Sequence, residues 1–194
     1  AAQSDHTVSV NNKNTWQTAM SEAAFMTGLE RNADVVSMAS YAPLFAHADG
    51  WQWTPDLIWV DNLRSYGTAD YQVQKLFSLN KGTQEIPILM DEKAVSGKDG
   101  FYACAALDKA TNELILKVVN TSAKAQMADF MIDGAKIKSK ANVSTLASDN
   151  LEQVNSFDNP SAVSPKTQEV SLQNKKLQLQ LKPYSFSVIR IKKA

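Results

Sequence analysis

A single cysteine, Cys104, stands among 194 residues, so no disulfide can close within the chain. Between Ala103 and Ala105 it reads as a small buried apolar residue. Histidine is nearly as scarce. His6 and His47 lie far apart, and no cluster of Cys, His or carboxylates has the tight spacing of a metal site. Neither a metal nor a cofactor is expected. Seven glycines are scattered singly, so there is no phosphate-cradling loop, and Gly-x-Ser-x-Gly is absent. Charge of one sign is missing too: 20 basic and 20 acidic residues cancel. Without a basic stripe to neutralise phosphates, nucleic acid is not an expected partner. No apolar run approaches the roughly 18 residues that cross a bilayer, so no membrane span is expected. Residue 1 is Ala and no signal-peptide pattern follows, which suits a mature product or an excised piece.

What is present suits a folded chain: 44% hydrophobic and 21% charged residues are ordinary globular values. Two regions differ in pattern. In the first, Trp16, Ala19, Met20, Ala23, Met26 and Leu29 recur at spacings of three and four, which predicts a helix over 15–31 with Asn14 or Thr15 as its cap. Ala33 to Ala39 is a short, mostly apolar run typical of a strand buried on both faces of a parallel sheet. Such a strand needs neighbours on both sides, and the strand that would precede its crossover helix is expected before Ala1. A loop from Tyr41 to Trp53 follows, then a short β run over 57–62. A second helix is predicted over 68–77, capped by Thr68 and ended by Asn80-Lys81-Gly82 with Gly82 at positive φ.

Beyond residue 85 the period becomes two. Strands are predicted at 86–91, 101–107, 113–120, 127–132, 142–146, 168–172, 176–181 and 184–191. Leu177, Leu179 and Leu181 alternate with Gln178, Gln180 and Lys182, giving one dry and one wet face. Lys109 to Asn112 and Asp133-Gly134 read as turns, and 155–165 as a long irregular connection. The chain is therefore expected to be mainly β. An antiparallel β-sandwich, jelly-roll-like, fills residues 86–194, and an α/β remnant of a (β/α)₈ barrel occupies residues 1–85.

No acid–base pair stands out. Asp34 opens the buried run, Asp56 and Asp61 read as turn residues, Asp91 and Glu92 close a strand, and a solvated helix face accounts for Glu22 and Glu30. The loop after the buried run differs. It carries Tyr41, Phe45, His47, Trp51 and Trp53 where barrel active sites are built. Aromatic faces there could stack on sugar C–H surfaces while Tyr and His bond hydroxyls; packing of one domain on another is the structural alternative.

Several of these residues carry a resemblance. Residues 21–36 (SEAAFMTGLERNADVV), Ser40 to Phe45, Trp53 to Ile58, Tyr66-Gly67-Thr68 and Tyr71 to Gln74 resemble family 51 glycoside hydrolases, the α-L-arabinofuranosidases. Residues 155–165 and Pro183 to Ile191 resemble the terminal domain of that family more loosely. The resemblance implies a (β/α)₈ barrel followed by a β-sandwich, and a retaining mechanism with two glutamates. It places the nucleophile just before Ala1 and the acid/base farther upstream, so no catalytic residue is expected here. By their place in that loop, and not by the resemblance, Tyr41, His47 and Trp53 are the expected substrate-binding residues. Other branches have a sugar-contacting Gln where Pro43 stands and often Asn where His47 stands.

The implied partner is an arabinose-containing polysaccharide or oligosaccharide, met by a parent enzyme that is secreted or periplasmic. The fragment itself is expected to be inactive. A rival from another class is a non-catalytic carbohydrate-binding or structural sandwich module. Its candidate aromatics are Phe101, Tyr102, Phe130, Phe157, Tyr184 and Phe186. An apolar stripe without its barrel must also be covered, by the sandwich or by assembly into a homo-oligomer.

Overall fold

The computed structural model describes residues 13–194. Part of the 1–85 region, with His6, lies outside the described residues. The element order is α1 (Trp16–Arg31), β1 (Phe45–His47), β2 (Ile58–Val60), β3 (Ser65–Gly67), α2 (Ala69–Leu79), β4 (Gln84–Ile86), β5 (Leu89–Met90) and β6 (Lys93–Ala94). After a 3₁₀ turn come β7 (Phe101–Asp108), β8 (Glu113–Asn120), β9 (Gln126–Met131), β10 (Ile137–Ala147), β11 (Lys166–Ser171), β12 (Lys176–Leu181) and β13 (Ser185–Lys193). The chain is mainly β, as predicted. The α1 cap is Thr15, whose side chain accepts the Thr18 N–H, and Thr68 caps α2 through the Tyr71 N–H.

A six-stranded antiparallel sheet, in the order β11-β10-β13-β8-β7-β4, is the middle layer. The β9–β12 ribbon covers one face, where Leu177, Leu179 and Leu181 meet Leu114, Leu116, Ile189 and Ile191 in a single aliphatic cluster. Gln178 and Gln180 face water, as their alternation predicts. Helices α1 and α2 cover the other face. Trp16, Ala19, Met20 and Ala23 pack there with Val73, Phe77, Ile115, Val119 and Phe186. Phe77 stacks on Phe186 at 5.0 Å between ring centroids. The apolar stripe of α1 is thus buried against the sheet. Strand β8, dry on both faces, reads as a continuous apolar run rather than an alternation.

Several sequence expectations need correction. Residues 33–39 form no strand and are mostly exposed, with Val35 at 74% and Met38 at 88%. No described strand lies beside them, so their N–H and C=O groups have no ladder to join. The parallel pairing in this region instead joins β1 to β2, inside the stretch read as a loop. Gly82 is not among the positive-φ residues; Asn80 ends α2 and returns its side-chain N–H to the Leu76 carbonyl at 2.8 Å. Glycine is required at 82 for space, because a Cβ there would lie 2.3 Å from the Ala106 Cβ.

Glu22 and Glu30 are not on a solvated face. Glu30 pairs with Lys117, a sheet residue only 1% exposed, and accepts the Cys104 thiol at 3.0 Å. Burial and the neighbouring Glu30 carboxylate push the Cys104 thiol far up, so it is inert. Glu22 meets Asp70 and Gln74 across the α1–α2 seam. Both corrections share a cause: α1 is covered by the sheet on one side and by α2 on another. Asp56, read as a turn residue, is buried, and its Oδ2 has no hydrogen-bond partner among the described residues.

Candidate functional site

The stretch from residue 41 to residue 68 builds a small three-stranded sheet, β1-β2-β3, beside the N-terminus of α1. Apolar, β-prone residues at 57–60 form its central strand. The β2–β3 hairpin is organised by Asp61, whose Oδ1 accepts the N–H of Leu63 at 2.8 Å and that of Arg64. These backbone bonds and the Arg64 guanidinium hold its carboxyl below the usual range.

Register decides which side chains meet. Ala46 pairs with Trp59, and Trp59 with Tyr66, so these three share one face. Trp51 lies edge-on to Trp59 at 6.2 Å, and Tyr66 edge-on to Phe157 at 4.8 Å. The result is an aromatic row from Trp51 to Phe157, with the Arg64 guanidinium 5.0 Å above the Phe157 ring. A cavity of about 310 Å³ opens along it, bounded by Lys13, Asn14, Trp51, Trp59 and Tyr66 and, opposite, by residues 154–156.

None of the three expected sugar-binding residues lines this cavity. Tyr41 is half-buried, and its hydroxyl accepts the Asn14 side-chain N–H at 2.9 Å. Burial pushes its phenol up to about 12, so it stays protonated as a donor. His47 pairs with Val60 and so points to the sheet face opposite Trp59. Its Nε2 is 3.3 Å from Asn62 Oδ1, and its Nδ1 accepts the Asp49 N–H at 3.2 Å. Trp53 is half-exposed in the connection between β1 and β2. Asn14 touches both Tyr41 and the cavity.

Sequence reasoning missed Trp59, Tyr66 and Asn155. Trp59 reads as one more apolar residue of a short β run. Tyr66 enters only through the turn that folds β3 onto β2. Asn155 sits in the irregular connection, yet its Nδ2 donates to the carbonyls of Gly67 and Val163, each at 3.0 Å, and its Oδ1 accepts the Val163 N–H at 2.7 Å. It pins the sandwich connection to the end of β3.

A larger hollow of about 450 Å³ lies between residues 33–39, the two helices and the sheet edge at Ala105 and Ala106. The smaller hollow is bordered by no carboxylate, and the larger by Glu30, already paired with Lys117, and by exposed Glu85. The buried acidic pair Glu22 and Asp70 is shut into the α1–α2 seam. Burial pushes Glu22 up to about 8 and raises Asp70 as well.

Comparison with known proteins matches this architecture. The profile of the alpha-L-arabinofuranosidase C-terminal domain matches residues 2–185. Alpha-L-arabinofuranosidase 1 of Arabidopsis thaliana is 31% identical over 176 residues, which are 87% of this chain and 25% of that protein. An extracellular exo-alpha-L-arabinofuranosidase of Streptomyces chartreusis is 60% identical over 74 residues, 38% of this chain and 9% of that protein. Among solved structures, an arabinose-bound family 51 α-L-arabinofuranosidase superimposes with a TM-score of 0.84 at 32% identity, covering 94% of this chain and 28% of that one. The arabinose complex of the Thermotoga maritima enzyme shares the fold, with a TM-score of 0.74 at 19% identity, over 97% of this chain and 41% of that one. The chain spans about a quarter of the length of the plant relative. The match runs through helices and sandwich alike, which does not favour an independent sandwich module. This chain belongs to the α-L-arabinofuranosidase C-terminal domain family, and it is the C-terminal rather than the catalytic domain of that architecture.

Proposed function

We propose that this chain is the C-terminal part of a retaining α-L-arabinofuranosidase that removes terminal α-L-arabinofuranosyl units from arabinan- or arabinoxylan-type polysaccharides. The observation that carries this reading is the family match across nearly the whole chain, set against its span of about a quarter of the plant relative. Residues 1–85 are the last helix, strand and helix of a (β/α)₈ barrel, and 86–194 are its sandwich. The exposed run at 33–39 supports that division: its composition suits a strand between two parallel neighbours, which other parts of the parent supply.

Both catalytic glutamates then belong to the parent's other segments. Retaining chemistry needs two carboxyl groups about 5–5.5 Å apart across a cleft, one as nucleophile and one as acid/base. Glu22 and Asp70 do not meet that need, since neither borders a cavity that could admit a sugar. The chain supplies a wall of the substrate pocket instead. Tyr41, His47 and Trp53 are its sugar-facing residues, through a protonated phenol, an imidazole and an indole face. The extracellular Streptomyces relative supports a secreted or periplasmic parent.

An aryl α-L-arabinofuranoside tests the reading. The chain alone should give no turnover, while a longer protein containing it should hydrolyse the glycoside with retention of configuration. Tyr41→Phe in the longer protein should lower kcat/KM about 3- to 10-fold, the effect of one hydrogen bond. Turnover by residues 1–194 alone, or a longer protein inert toward arabinofuranosides, overturns it.

A further inference from the structure

We infer that the cavity between the Trp51–Trp59–Tyr66 row and residues 154–156 is a binding site for a neutral sugar ring. Its volume, about 310 Å³, is at the small end of ligand pockets. Its lining is what a sugar requires: aromatic faces for the C–H surface and hydrogen-bond donors for the hydroxyls. Among the residues that border it there is no carboxylate, and Lys13 is the one charged group. A neutral polyol therefore fits better than an anion or a cation.

The decisive feature is which hydrogen-bonding groups are already used. Trp16 shows what a packing tryptophan looks like here: its ring is fully buried and its Nε1–H donates to the Tyr184 carbonyl at 2.8 Å. Trp51, Trp59 and Tyr66 differ on both counts. All three are partly exposed, and neither the indole N–H groups nor the phenol has a partner among the described residues. The polar groups behind them are committed to structure. Asn155 spends its amide on Gly67 and Val163, and Thr68 Oγ1 bonds the Leu57 carbonyl and caps α2. Ser156 Oγ accepts the Asn159 N–H at 3.1 Å and keeps its own proton to donate. The walls are thus fixed, while the donors of the lining aromatic residues have no partner among the described residues, an arrangement that lowers the ordering cost of binding.

The pocket is made jointly by the β1–β3 region and the sandwich connection, so neither part alone contains it. Its preference for a neutral sugar stands on its own lining. That the sugar is an arabinose unit rests on the proposed function.

The test is titration of the 194-residue chain with α-1,5-linked arabinotriose and, separately, xylotriose, followed through the indole N–H resonances. Saturable shifts are expected at Trp51 and Trp59 and none at the buried Trp16. Trp51→Ala should weaken binding about 10-fold, the scale of a lost aromatic contact. Tyr66→Phe, which keeps the ring and the fold, should weaken it about 3- to 10-fold for one hydrogen bond. Saturation by xylotriose alone supports the pocket and overturns its assignment to arabinose. No saturable shift with either sugar at tens of millimolar, or shifts undiminished in both variants, overturns the pocket itself. Hydrolysis by the longer protein is read from turnover, so the two readings can fail separately.

Discussion

The two faces of the central sheet are buried to the same depth by different chemistry. Against the β9–β12 ribbon the sheet presents mainly aliphatic side chains, from Leu114, Leu116, Val143, Ile189 and Ile191. Against the helices it also presents Lys117 to Glu30, with the ammonium 4.9 Å above the Phe77 ring centre, and Cys104 to the same carboxylate. At one edge Arg190 bridges Glu113 and, at 3.0 Å, the Asn80 side chain that ends α2. At the end of α1, Arg31 donates to the Ala103 carbonyl at 2.6 Å. The ribbon face is held chiefly by area and fit, with Asn120 donating to the Lys124 and Lys182 carbonyls at the ribbon's end. The helix face is held by area plus bonds that have one correct partner each, which fixes where the helices sit.

Removing packing from the ribbon face should cost most. Leu177 is fully buried, and Leu177→Ala should destabilise by about 4 kcal/mol through lost burial and an unfilled cavity. Chemical denaturation read by helix and sheet signals together checks this. Coincident transitions would show both faces melting as one unit, and a helix signal that persists would split them. On the helix face Glu30→Ala strands the buried Lys117 ammonium, and the cost should be about 3 kcal/mol, at the low end because Glu30 keeps some water contact.

The seam between the helices should respond to pH. Burial, reinforced by the facing Asp70, pushes the Glu22 carboxyl from an ordinary 4.5 up to about 8, while Gln74 opposes the shift. The folded chain then holds a proton that the unfolded chain releases. Its stabilising effect is complete below about pH 4.5 and is lost as the pH rises through about 8. Glu22→Gln should flatten the fall in Tm over that window relative to wild type. Equal slopes for the two proteins would contradict it. The smallest effect is expected from Lys117→Met combined with Glu30→Gln, which removes both charges at once. The pair should lie within about 1 kcal/mol of wild type, and a double-mutant cycle with the single variants isolates the coupling. A large loss in the double variant would show that the ion pair contributes net stability as well as position.

The same contrast explains what could be read in the sequence. Strand β12 was legible because one of its faces is wet, so Leu and Gln alternate. Strand β8 carried the right boundaries, but nothing local marks its lysine as buried; its partner is 87 positions away on a helix. Residues 33–39 have the composition of a doubly buried strand, and composition says nothing of whether neighbours are present to pair with it. At the candidate site, the aromatic content of 41–53 was visible. The row itself depends on β2–β3 register and on Asn155 reaching Gly67 across 88 positions, neither of which a local pattern records.

The hydrogen bond from Trp16 to the Tyr184 carbonyl spans 168 positions. In time rather than space, this makes α1 a segment that must wait. Its apolar stripe is synthesised before every strand of the sheet that will cover it, and β13, in the middle of that sheet, arrives last. Contacts of such long range are slow to form, and the uncovered stripe is open to other chains meanwhile. The yield of folded protein should therefore fall with concentration during refolding well before the native state itself shows any tendency to associate.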